Sequence, residues 1–171
     1  MKDNKDRDEV MAAIKNDWYA FEDADESLKK DREFVLEVVK QDGWALEYAD
    51  NSLQKDKEIV LAAVEQDYSV LQFADESLKK DKEIFMVVRK KVLAAVKSNG
   101  LDLTRADESL KKDREIVMAA VKQDGRAFEY ADKSLKKDRE IVLVAVKNWG
   151  LALQYADKSL QKDKEIVMVG A

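Results

Sequence analysis

The frame Ala-Asp-x-Ser-Leu recurs six times, with aspartates at Asp25, Asp50, Asp75, Asp107, Asp132 and Asp157, so the chain steps by 25, 25, 32, 25 and 25 residues. A fixed period of this length restricts the fold more than composition does. One supersecondary unit is copied, and each copy buries its apolar face by stacking on its neighbours. The sequence therefore predicts an all-α chain: a right-handed or gently curved α-solenoid of two-helix repeats of about 25 residues, running as a single domain over residues 1–171.

Within one copy, a segment such as Asp113–Gly125, "DREIVMAAVKQDG", has an aspartate suited to an N-cap, an acidic first turn and a lysine near its end. These are the polarity signals of a helix of about three turns. Its apolar positions are nearly adjacent, as in Ile59, Val60, Leu61, Ala62, Ala63 and Val64, so it is expected to be buried on most sides. Gly43, Gly100, Gly125 and Gly150 stand where a left-handed residue would close this helix. Trp18 and Tyr68 replace that glycine in two copies, where a positive φ is sterically unfavourable. The following "RAFEYAD" or "LALQYAD" reads as a second, short helix. Aspartate and serine of the frame bond nearby amides at the corner. The frame leucine, Leu28, Leu53, Leu78, Leu110, Leu135 or Leu160, is expected to plug the corner into the core. The absence of proline suits a helical chain.

The one long interval falls in Lys80–Gly100, where residues 85–91 are additional. Seven residues are nearly two α-helical turns and rotate the downstream face by only about 20°. One continuous helix from Asp81 to about Asn99 is expected, projecting about two turns, ~11 Å, beyond its neighbours, the rival reading being a kinked pair of helices at Arg89, Lys90 and Lys91. The first copy has polar residues, Asp8, Glu9 and Asp23, where others are glutamate, apolar or mostly aromatic. The last copy is expected to expose Ile166, Val167, Met168 and Val169 to a partner, to another copy of the chain or to a continuation of it.

The motif "AD-x-SLKKDREIVLAAVKQDG-x-A-L-x-YAD" resembles the tandem helical repeats grouped as domain of unknown function 4116, over residues from about Lys5 onward. The resemblance implies tandem helical hairpins and carries no activity, cofactor or catalytic residue to transfer. The heptad insertion, Trp18 and Tyr68 depart from the pattern.

Histidine and cysteine are absent, as are a "GxxxxGK" loop and a "GxGxxG" turn, so no enzyme activity and no cofactor are expected. The repeated Asp and Glu of "KDREI" are explained by capping and a solvated face. A net charge of -5 gives no overall attraction to nucleic acid or anionic lipid. No run of about 18 apolar residues offers a membrane span, and the start lacks the apolar core of a secretory signal. The chain reads as soluble and, by default, cytoplasmic. The expected function is a noncatalytic scaffold or protein-interaction module. The alternative is a phosphate- or nucleic-acid-binding adaptor using a ladder of lysine pairs such as Lys29 and Lys30. Candidate contact residues are those that vary while the frame is kept: Tyr19, Trp44, Arg126 and Trp149, with Phe85, Arg89, Lys90 and Lys91 of the insertion.

Overall fold

A computed structural model of the chain describes residues 4–171. Among the described residues there is no strand, and the all-α repeat fold expected from the period is the fold observed. The long helices are α1 (Asn4–Asn16), α2 (Arg32–Gln41), α3 (Lys57–Gln66), α4 (Lys82–Ser98), α5 (Arg114–Gln123), α6 (Arg139–Asn148) and α7 (Lys164–Gly170). Between them lie 3-10 helices: η1 (Trp18–Phe21), η2 (Gly43–Tyr48), η3 (Tyr68–Phe73), η4 (Gly100–Arg105), η5 (Gly125–Tyr130) and η6 (Gly150–Tyr155). The short helix expected in each copy is thus a tight 3-10 segment. The corner beyond it forms a turn of its own, α-helical at Glu26–Lys29 and Glu76–Lys79.

Aspartates set the boundaries. Asp56 starts α3 by accepting the amides of Glu58 and Ile59 at 3.0 and 3.2 Å. Asp42 follows α2 with its own amide on the Val38 carbonyl, 3.0 Å, while its Oδ1 accepts the Trp44 amide at 2.9 Å and opens η2. One extended residue, φ -144°, therefore ends one helix and begins the next. In each corner the frame aspartate accepts from the serine two residues on, as Asp50 does from the Ser52 amide at 3.0 Å and hydroxyl at 2.6 Å.

No described residue has a positive φ, which corrects the expectation of left-handed glycines. The glycines serve close packing instead. A Cβ at Gly43 would lie 2.4 Å from the Ala63 carbonyl oxygen, and one at Gly125 would lie 2.6 Å from that of Ala145.

The chain divides into two compact units, Met1–Val88 and Arg89–Ala171, the division falling inside α4. In the first unit Phe21, Phe34, Val35, Leu46, Ile59 and Val60 are fully buried. In the second, Leu103, Ile116, Val117, Phe128, Ile141 and Val142 are. Each such side chain contributes about 1.5–3 kcal/mol through burial. The frame leucines enter this core unequally: Leu53 and Leu110 are buried, whereas Leu28, Leu78, Leu135 and Leu160 are half-buried.

Helix α4 is continuous over 17 residues, as the heptad implies, with Ile84, Val88, Val92 and Val96 buried at four-residue spacing. The expected projection is absent, because the apolar stripe is buried along its whole length.

Candidate interaction surface

Two periodic features use residues other than the frame. The first is a ladder at the helix N-termini. Arg32 bonds Asp56 at 2.7 Å and Glu58 at 2.5 Å, and Lys57 reaches Asp81 and Glu83 at 2.9 and 3.0 Å. In the second unit Arg89 reaches Asp113 and Glu115, both at 2.7 Å. Arg114 then reaches Asp138 and Glu140, and Arg139 reaches Asp163 and Glu165. Arg32, Lys57, Arg114 and Arg139, each the first residue of its helix, reach the cap of the next copy's helix, and Arg89 does the same from the middle of α4. The Arg32 guanidinium holds the Asp56 carboxyl below its ordinary range, and the Lys57 ammonium does the same for Asp81. This ladder is structural: it fastens neighbouring copies.

The second feature is a row of aromatic rings on η1, η2 and η3 of the first unit. Tyr19 is exposed and stacks on Trp18, with ring centroids 3.9 Å apart. Trp18 in turn lies 6.3 Å from Trp44 and 5.8 Å from Tyr48, and Trp44 meets Phe73 edge-on at 5.6 Å. Trp44 is fixed by its indole N–H, which donates to Asp67 at 3.3 Å. The Tyr48 hydroxyl titrates above its ordinary value, raised first by burial and then by the neighbouring Glu22 carboxylate. Trp18, Trp44, Tyr48 and Phe73 are all half-buried, so the rings are anchored and still present surface.

The sequence-derived candidates are thus dispersed. Tyr19 and Trp44 belong to one row. Arg126 is exposed, but its guanidinium folds back on Asp124 at 2.6 Å. Trp149 stacks on Tyr155 at 6.0 Å and precedes η6 without a side-chain cap, where the other copies use Asp or Asn. Phe85 is half-buried, Arg89 is a rung of the ladder, Lys90 is exposed and Lys91 is half-buried. Sequence reasoning missed Trp18, Tyr48 and Phe73. Trp18 signalled itself by replacing a glycine. Tyr48 and Phe73 were concealed because aromatics at that position recur in most copies.

Of the lysines that were expected to form an anion ladder, Lys29 lies 3.2 Å from Glu26 and Lys30 lies 4.0 Å from Asp50. Lys79 and Lys111 lie 2.7 Å from Glu76 and Glu108. Among the described residues no helix is long and apolar enough to cross a membrane.

Tandem copies of a helix and a 3-10 helix, fastened by caps and ion pairs, define a helical-repeat protein. More narrowly, the chain belongs to the family of domain of unknown function DUF4116, whose model matches residues 6–54, 56–87, 89–136 and 138–169. One boundary between matches falls at residue 88, where the two compact units meet in sequence. No curated protein and no solved structure matches the chain.

Proposed function

We propose that the chain is a noncatalytic helical-repeat scaffold that binds another protein through the aromatic row of its first unit. The observation that carries this reading is the run Tyr19, Trp18, Trp44, Phe73, with Tyr48 beside it, at half-exposed positions on successive 3-10 helices. Aromatic side chains held rigid by packing are favoured anchors, because little conformational freedom is lost when a partner covers them. The caps and ion-pair ladder maintain the spacing of the row, and the row supplies the contact.

The lysine-ladder alternative has less support. Lys29, Lys30, Lys79 and Lys111 each have a carboxylate within 4.0 Å, which opposes a phosphate at the same place. The test is comparative capture from the native source by the full chain and by a Tyr19→Ser, Trp44→Ser double variant of matched circular dichroism. Proteins retained by the first and lost by the second support the reading. Identical retention by both, or recovery of nucleic acid alone, overturns it.

A further inference from the structure

We infer that the aromatic row of the first unit takes a basic polypeptide segment, whose lysine or arginine side chains lie over Trp18 and Trp44 beside the carboxylates of Asp17 and Asp42. The inference rests on the row being a protein contact and adds the chemistry of what it contacts.

Charge is the first ground. Residues 1–88 contain 13 Lys and Arg against 23 Asp and Glu, a net -10, whereas residues 89–171 contain 18 against 13, a net +5. The modest net charge of the whole chain, -5, therefore conceals a strongly acidic first unit. A field of one sign concentrates partners of the other and speeds their encounter.

The rings are the second ground. An aromatic face attracts a cation within about 6 Å, and tryptophan does so best. The molecule uses this contact internally: the Arg7 guanidinium lies 5.0 Å from the Phe34 ring, and the Lys136 ammonium 5.8 Å from that of Tyr155.

The third ground is a hollow of 370 Å³ beside Trp18, lined also by Asp17, Asp42, Lys15, Asn16 and Gln41. Asp17 and Asp42 each use Oδ1 to cap a 3-10 helix, through the amides of Tyr19 and Trp44. Their Oδ2 atoms accept no hydrogen bond from the described residues. Two acidic residues thus line the hollow against one lysine, Lys15. At the position of Tyr19 and Trp44, the copies of the second unit carry Leu101, Arg126 and Leu151.

The test uses the full chain and two blocked synthetic peptides, one alternating arginine with glycine and one alternating glutamate with glycine. Binding is followed by calorimetry and by tryptophan fluorescence at low and high salt. The arginine peptide is expected to bind, less tightly at high salt, and the glutamate peptide to show no binding. Trp44→Leu should weaken binding roughly tenfold. The Asp17→Asn, Asp42→Asn pair should weaken it too, while keeping both caps because asparagine caps as well as aspartate. Trp149→Leu, in the second unit, should leave it unchanged.

Equal binding of both peptides, no binding of either, or an equal loss in Trp149→Leu overturns the inference. Sedimentation showing a dimer that Trp44→Leu dissociates would make a second copy the occupant, and would overturn it as well. If the arginine peptide fails while capture from the native source still depends on Tyr19 and Trp44, the basic-partner inference falls and the contact reading stands.

Discussion

At Gly125 a single added carbon would stand 2.6 Å from the Ala145 carbonyl oxygen and 2.9 Å from the Trp149 amide nitrogen. Both are backbone atoms of a packed helix end, which cannot rotate aside as the tip of a side chain can. Replacing glycine by alanine ordinarily stabilises by about 0.4–1 kcal/mol through the unfolded chain. Overpacking against fixed neighbours costs about 1–3 kcal/mol. The second effect wins here, so Gly125→Ala is expected to destabilise by about 1–2 kcal/mol. Denaturant unfolding followed by circular dichroism measures it, and a midpoint at or above that of the parent chain would refute the close-packing account. A glycine after a helix reads alike in sequence whether it closes the helix with a positive φ or admits a neighbour's backbone. The neighbour that decides lies 20 residues downstream, in the next copy, where local pattern does not reach.

At the scale of the element, α4 shows what the heptad does. Ile84 and Val88 carry the apolar stripe in residues of the first unit, Val92 and Val96 in those of the second, and Arg89 stands 25 residues before Arg114 as the corresponding rung. The insertion gives one helix two registers: Asp81 and Glu83 accept from Lys57, and seven residues after Lys82 Arg89 begins the ladder again. Arg89 and its partner Asp113 have side chains only 26% and 20% exposed, against 51% and 23% for Arg114 and Asp138. Exposed pairs contribute about 0.2–1 kcal/mol, and less solvent screening favours the upper part of that range. Arg89→Ala should therefore lower thermal stability more than Arg114→Ala; an equal or smaller loss would show that the rungs are equivalent. Deleting residues 85–91 places Lys82 at the ladder position now held by Arg89 and should leave a folded chain of undiminished helicity per residue by far-ultraviolet circular dichroism. Collapse of that signal would mean the heptad is required for folding. The period, the caps and the continuity of α4 were legible in the sequence, because each is a local pattern. The 3-10 conformation, the ladder and the aromatic row were not, since all three depend on which residues of successive copies face one another.

For the molecule as a whole, the same few contacts repeat, so their pH dependence accumulates. Burial tends to raise the Asp113 and Asp138 carboxyls, yet bonds from Arg89, Arg114 and backbone amides leave both lowered. Bonds from Ser52 and Ser77 lower Asp50 and Asp75 in the corners. A carboxyl whose folded value lies below its unfolded value of about 3.9 contributes stability above that pH and loses it as pH falls through the folded value. On the alkaline side, Tyr48 and Tyr155 are raised, by burial first and then by Glu22 and Glu129 respectively. Their contribution is complete below about pH 10 and is lost as pH rises through the folded values. The chain has no histidine and no cysteine, hence no side chain whose ordinary value lies between about pH 5 and about pH 10. The denaturation midpoint is therefore expected to be nearly flat from about pH 5 to 8, to fall below about pH 4 as caps and corners protonate together, and to fall again above about pH 10. Thermal melts across that range test this directly. A transition centred between about pH 5 and 7 would require a carboxyl raised by about one unit or more, the opposite of the lowered aspartates that cap these helices.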